Sequence, residues 1–117
     1  MPYRHILEDL LALVPGSRTA LLLDGQGEVV VGAGNLDETQ RLIGAYQGIA
    51  LGMASRTAER FEAGPVRTLT WRHAGGAVIL VTLKDGYYLV LSLGPAALAA
   101  AAIRRCEETR RRLEEAI

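Results

Sequence analysis

Apolar residues near the start of the chain recur at helical spacing, at Ile6, Leu7, Leu10, Leu11, Leu13 and Val14, and Pro15-Gly16 interrupts the run. The spacing predicts a short amphipathic helix from about Pro2 to Val14. The pattern then changes period. Thr19 to Leu23 is apolar on both faces, Asp24-Gly25-Gln26-Gly27 supplies residues that accept positive φ, and Glu28 to Val31 returns to β-rich sequence, which predicts a hairpin. A long second helix is expected from about Leu36 to Arg60, capped by Asn35 or Asp37, with Gly64-Pro65 certain to end it. Val66 to Arg72 alternates, with Leu69 and Trp71 on one face against Thr68, Thr70 and Arg72 on the other.

Gly75-Gly76 turns the chain into Ala77 to Leu83, and Lys84-Asp85-Gly86 turns it again into Tyr87 to Leu93. These last two strands are apolar on both faces, so helices must cover both sides of the sheet. Gly94-Pro95 opens a final helix that begins with Ala96 to Ala102 and ends in a run of charges. Pairing at i,i+4, Glu107 with Arg111 and Glu108 with Arg112, makes the arginine triplet a solvated face. The expected fold is α+β: a five-stranded, mainly antiparallel sheet with helices on both faces, in the order α-β-β-α-β-β-β-α. With no linker or repeat to divide it, the chain reads as a single domain over residues 1–117.

Composition narrows the function classes. Half of the 117 residues are hydrophobic and 22% are charged, the balance of an ordinary globular domain with a real core. Lys plus Arg equals Asp plus Glu at 13 each, so the charge favours neither nucleic acid nor an anionic membrane as a partner. No window reaches the apolar length of a membrane span, and the N-terminus lacks a signal-peptide core. Cys106 is the one cysteine, which excludes an intramolecular disulfide and suits a reducing, cytoplasmic setting.

Catalytic chemistry finds little support. His5 and His73 belong to no ligand motif, and Asp24 and Asp85 each precede a turn glycine, where a short acceptor satisfies loop amides. Gly25-x-Gly27 and Gly32-x-Gly34 lack the rest of a phosphate-binding loop. Arg105 and Arg110 near Cys106 could lower its thiol pKa, although a lone helical cysteine is more often inert packing. No enzyme activity, metal or cofactor is expected.

The second helix carries the most unusual feature. Gly44, Gly48 and Gly52 fall four residues apart, and each costs roughly 1 kcal/mol relative to alanine in a helix interior. On a helical wheel Leu42, Ile43, Tyr46, Ile49, Ala50 and Met53 form one broad arc, opposite Gly44, Gly48, Gly52 and Ser55, which are flanked by Leu51, Arg41 and Glu59. The bulky arc suits the sheet, which would leave the small-residue strip pointing away, ready for a second helix or partner surface to approach closely. Glycines that let the helix lie flat on its own sheet are the competing reading. The alternating strand from Val66 to Arg72 suggests an edge able to pair with another chain. The expected self-association or partner interface is therefore Arg41, Gly44, Gly48, Leu51, Gly52, Ser55, Thr68, Thr70 and Arg72.

The element order, the hairpin Ala20-Leu-Leu-Leu-Asp24-Gly25-Gln-Gly27-Glu-Val-Val, the small-residue helix, and Val78-Ile-Leu-Val followed by Tyr87-Tyr-Leu-Val-Leu together resemble the roadblock/dynein light chain family. The resemblance covers nearly the whole chain and implies a homodimer with a continuous sheet. Bacterial members include regulators of a small Ras-like GTPase that governs gliding motility. The implied function is therefore a homodimeric regulator or scaffold that binds such a GTPase and modulates its GTP hydrolysis. Arg41 or Arg56 could reach a phosphate as an arginine finger. A structural adaptor without GTPase regulation, and a small-ligand sensor, are the alternatives from other classes.

Overall fold

The structure, a computed structural model, describes residues 2–117. Helix α1 runs over Pro2–Leu13 and buries Ile6, Leu7 and Leu10, the positions its periodicity marks as a core face. Strands β1 (Ser17–Leu23) and β2 (Val29–Gly34) form the hairpin. Its turn is held by Asp24, whose Oδ1 accepts from the amides of Gln26 and Glu28 at 2.9 and 3.0 Å, so this carboxylate is structural. Helix α2 spans Glu38–Arg60. Of the two candidate caps it uses Asp37, whose Oδ1 accepts from the Gln40 amide at 2.9 Å.

Strands β3 (Thr68–His73), β4 (Gly76–Thr82) and β5 (Tyr88–Leu93) follow as a meander. Between β4 and β5 the turn tightens into a single 3-10 turn, with Asp85 in the left-handed region at φ 59°. Helix α3 covers Ala99–Ala116 and starts later than its alanine run suggests, because Gly94 to Leu98 first forms a turn closed by Ala97 N–H on the Gly94 carbonyl. The order is thus α-β-β-α-β-β-β-α. All strand pairs are antiparallel, and the sheet runs β2-β1-β5-β4-β3.

This order puts the two most apolar strands, β4 and β5, inside the sheet and leaves β2 and β3 as edges. Two cores result. Under α1 and α3 lie Leu7, Leu10, Leu22, Ile79, Leu89, Leu91 and Leu113. Under α2 lie Leu21, Leu23, Val78, Leu80, Tyr88 and Val90, a smaller cluster completed by Ile43, Leu51 and Leu69. Both faces of the sheet are covered, as strands apolar on both sides require.

The α1–α3 layer is tied together at its ends. Tyr3 Oη donates to the Ala116 carbonyl at 2.9 Å, and Arg112 pairs with Asp9 at 3.0 Å. The helical charges of α3 pair differently from the expected i,i+4 set. Arg110 bridges Glu107 and Glu114, Arg105 meets Glu108, and Arg112 turns to α1. The cause is that α3 packs on α1, which offers Arg112 a carboxylate on a neighbouring helix.

Candidate protein interaction surface

Helix α2 sits the opposite way round from the orientation its bulky arc suggests. An added Cβ on Gly44 would lie 2.5 Å from Leu21 Cδ1, and one on Gly48 would lie 2.9 Å from the Tyr88 hydroxyl. Gly44 and Gly48 therefore press on the protein's own sheet, and the expectation that they point away to a partner is corrected. Gly52 lies at the side of the helix, where an added Cβ would meet only Arg56 Nη1 at 3.5 Å. Ser55 and Leu51 are half-buried and line a cleft of about 510 Å³ between α2 and the Gly64-Pro65-Val66 segment. They too belong to the inner side.

The physical reason lies in the sheet. Leu21, Leu23, Leu80 and Tyr88 already fill the space above β1, β4 and β5, so the helix approaches only where it presents backbone or small side chains. A helical wheel separates a bulky arc from a small-residue arc without saying which of them meets the sheet. Here the arc is mostly outside: Leu42 is 48% exposed, Tyr46 62%, Ile49 62% and Met53 60%. Of its six members only Ile43 packs against the inner cluster. The four exposed residues follow i, i+4, i+7 and i+11, so they make one straight apolar stripe along the outer face of α2. Arg41 stands exposed beside its start, and Arg60 is exposed beyond its end.

Strand β3 continues this surface. It pairs with β4 on one side alone. Thr82 N–H donates to the Arg67 carbonyl, in register with the pair Thr68↔Val81. Antiparallel pairs alternate between bonded and non-bonded, so Leu69, Trp71 and His73 exchange hydrogen bonds with β4 while Thr68, Thr70 and Arg72 aim their N–H and C=O groups at the open edge. The three β3 residues expected at an interface thus hold its backbone pairing groups. Thr70 and Arg72 are exposed and Thr68 is half-buried.

Sequence reasoning overlooked Gln47. This side chain is 3% exposed, donates from Nε2 to the Ile43 carbonyl at 3.1 Å, and accepts at Oε1 from Trp71 Nε1 at 2.9 Å. Trp71 is 40% exposed and its ring lies 5.2 Å from that of His73. A polar residue at an inward helical position was the signal, since a buried amide needs partners.

The titratable groups give no catalytic constellation. Burial, followed by the Glu107 charge, pushes the Cys106 thiol up to about 12, the reverse of the activation that neighbouring arginines could have produced. Cys106 is an inert packing residue at 0% exposure. His73 Nδ1 accepts from the Gly75 amide, a strand-end role. Burial, then the Asp24 carboxylate, raises the Tyr88 pKa, and its hydroxyl has no hydrogen-bond partner. Among the described residues no group of three or more His, Cys, Asp or Glu could hold a metal ion, and no helix is long and apolar enough to cross a membrane.

The fold matches solved structures closely. A Roadblock/LC7 domain from Streptomyces avermitilis superposes with a TM-score of 0.86 at 20% identity, covering 95% of this chain and 93% of that one. MglB of Myxococcus xanthus gives 0.87 at 10% identity, covering 98% and 94%. The gliding protein MglB of Thermus thermophilus gives 0.85 at 16% identity, covering 95% and 84%. A search of curated proteins finds no match. The family model for the Roadblock/LC7 domain matches residues 5–92, which takes in most of α1, the whole sheet to Ser92 of β5 and all of α2. By that match, and by the element order and sheet it shares with these structures, the chain belongs to the Roadblock/LC7 domain family.

Proposed function

We propose that this protein is a homodimeric regulator that binds a small Ras-like GTPase and modulates its GTP hydrolysis, in the cytoplasm. The observation that carries the reading is the apolar stripe of Leu42, Tyr46, Ile49 and Met53, which lies outside the protein's own core on the helix next to an unpaired strand. Four large apolar side chains in line on one helix face mark a protein contact rather than a solvated surface. Antiparallel pairing of two β3 edges across a dyad would join the two sheets into one and bring the two α2 helices onto one side of it, a self-complementary contact of the commonest symmetry. The proposed interface keeps Thr68, Thr70, Arg72 and Arg41 and replaces the inward Gly44 and Gly48 with the stripe.

On this reading the chain supplies no reacting group. Binding favours a hydrolysis-competent conformation of the GTPase, which is enough to change the rate if that conformation is bound more tightly. Family membership supports the reading, as do the structural neighbours named for gliding proteins. One related structure is described as MglB with a tetrameric arrangement, which favours self-association as a theme of this fold.

Two measurements test the proposal. Sedimentation should give twice the monomer mass. Mixing with the Ras-like GTPases of the same cell, loaded with GTP or GDP, should show binding that depends on the nucleotide and a hydrolysis rate raised by about tenfold or more, equivalent to ~1.4 kcal/mol of barrier. Binding with no change in rate would favour the adaptor reading, and no binding in either state would overturn the GTPase assignment.

A further inference from the structure

The link between α2 and β3 is thin. Among the described residues one side-chain hydrogen bond joins them, Trp71 Nε1 to Gln47 Oε1 at 2.9 Å. Gln47 is held rigidly for this task. Its Nε2 is committed to the Ile43 carbonyl one turn back at 3.1 Å, which fixes which way the amide faces and directs Oε1 at the strand. At 3% exposure the side chain has no freedom to choose another partner, and Trp71, at 40%, does.

That asymmetry separates position from stability. If Gln47 were apolar, the indole N–H of half-exposed Trp71 could turn to water, so the fold would keep most of its free energy. The Ile43 carbonyl would keep its backbone bond within the helix. What would be lost is the fixed placement of a large ring on the very edge that a second copy must meet. We infer that Gln47 is a positioning residue for self-association, holding Trp71 and the β3 edge at the angle to α2 that a second copy of this chain requires. This inference rests on the homodimer reading and adds to it the residue that sets the geometry. Dyad symmetry makes the contact occur twice, so each dimer contains two such struts and a defect in one residue acts at both.

The test uses the full chain and a double-mutant cycle on the dimer dissociation constant, measured by sedimentation equilibrium for the wild type, Gln47→Leu, Trp71→Phe and the double variant. Trp71 is the one tryptophan, so its fluorescence reports the strut directly. The expected result is a dimer weakened about tenfold or more in each single variant, with the double variant no weaker than either, since both break the same contact. Acrylamide quenching of Trp71 in Gln47→Leu should rise while the thermal midpoint stays within about 5 °C of the wild type, a split that a merely structural role would not produce. Additive losses in the double variant would overturn the inference, as would a Gln47→Leu dimer within about twofold of the wild type. Should Gln47→Leu fail to fold, Trp71→Phe decides alone, and an undiminished dimer in that variant overturns it. A wild-type chain that remains a monomer at about 100 µM would instead defeat the homodimer reading itself, and the strut with it.

Discussion

Gly44 and Gly52 stand eight residues apart on one helix, yet their substitution should have opposite effects. Gly44→Ala forces a methyl against Leu21 and should destabilise the fold by about 1–3 kcal/mol through overpacking. Gly52→Ala meets nothing closer than a flexible arginine tip and should stabilise by up to about 1 kcal/mol through helix propensity, both read from urea denaturation. Gly48→Ala should be harmful in the wild type and better tolerated with Tyr88→Phe, because the hydroxyl 2.9 Å from the added carbon is then gone. Tyr88→Phe alone should be neutral or stabilising, since that buried hydroxyl has no hydrogen-bond partner to lose. The fully buried thiol of Cys106 gives a signed pH effect. Its pKa rises from 9.0 to about 12 on folding, so the neutral thiol is favoured in the folded state, its contribution is complete below pH 9 and is lost as pH climbs towards 12. Stability should fall by up to about 1.4 kcal/mol per pH unit across that window from this group, and Cys106→Ala should flatten the slope in denaturation series at increasing pH.

Elements were legible in the sequence to the extent that their pattern depends on the chain alone. The hairpin turn with Asp24, a cap at Asn35 or Asp37, the five strands and the covering of both sheet faces all follow from local spacing, and the structure agrees, choosing Asp37 for the cap. The facing of α2 was not legible. A wheel separates a small side from a bulky side but does not say which one the core takes, and the usual assumption fails where the sheet's own side chains leave room only for backbone. Leu42, Tyr46, Ile49 and Met53 misled for the reason that makes them informative now. Gln47 was missed because its polarity is a signal only at an inward position, and which side of α2 faces inward was not legible. For β3 the prediction follows from its hydrogen-bond phase. Thr70→Pro removes an N–H that faces the open edge, so it should leave the β4 ladder and the monomer fold intact while abolishing the dimer in sedimentation. Ile49→Glu on the exposed stripe should likewise leave the thermal midpoint almost unchanged and weaken partner capture by about tenfold or more, measured by titration calorimetry.

The two sides of the sheet are covered unequally. One side carries α1 and α3, closed over a large apolar core and laced by the Arg112–Asp9 pair. The other carries α2 alone over a smaller cluster, and all the candidate contact residues lie there or on the adjoining edge. This arrangement gives Gly44 and Gly48 their place in the helix: they lower α2 onto a crowded sheet and leave its bulky side exposed, whereas Gly52 meets no part of the sheet. The bond from Tyr3 to the carbonyl of Ala116 has a practical corollary. It clamps the two chain ends beside each other at the back of the molecule, away from α2. Anchoring the protein to a sensor chip, or fusing a fluorescent reporter, beside this clamp should therefore leave the exposed apolar stripe of α2 turned towards the solution.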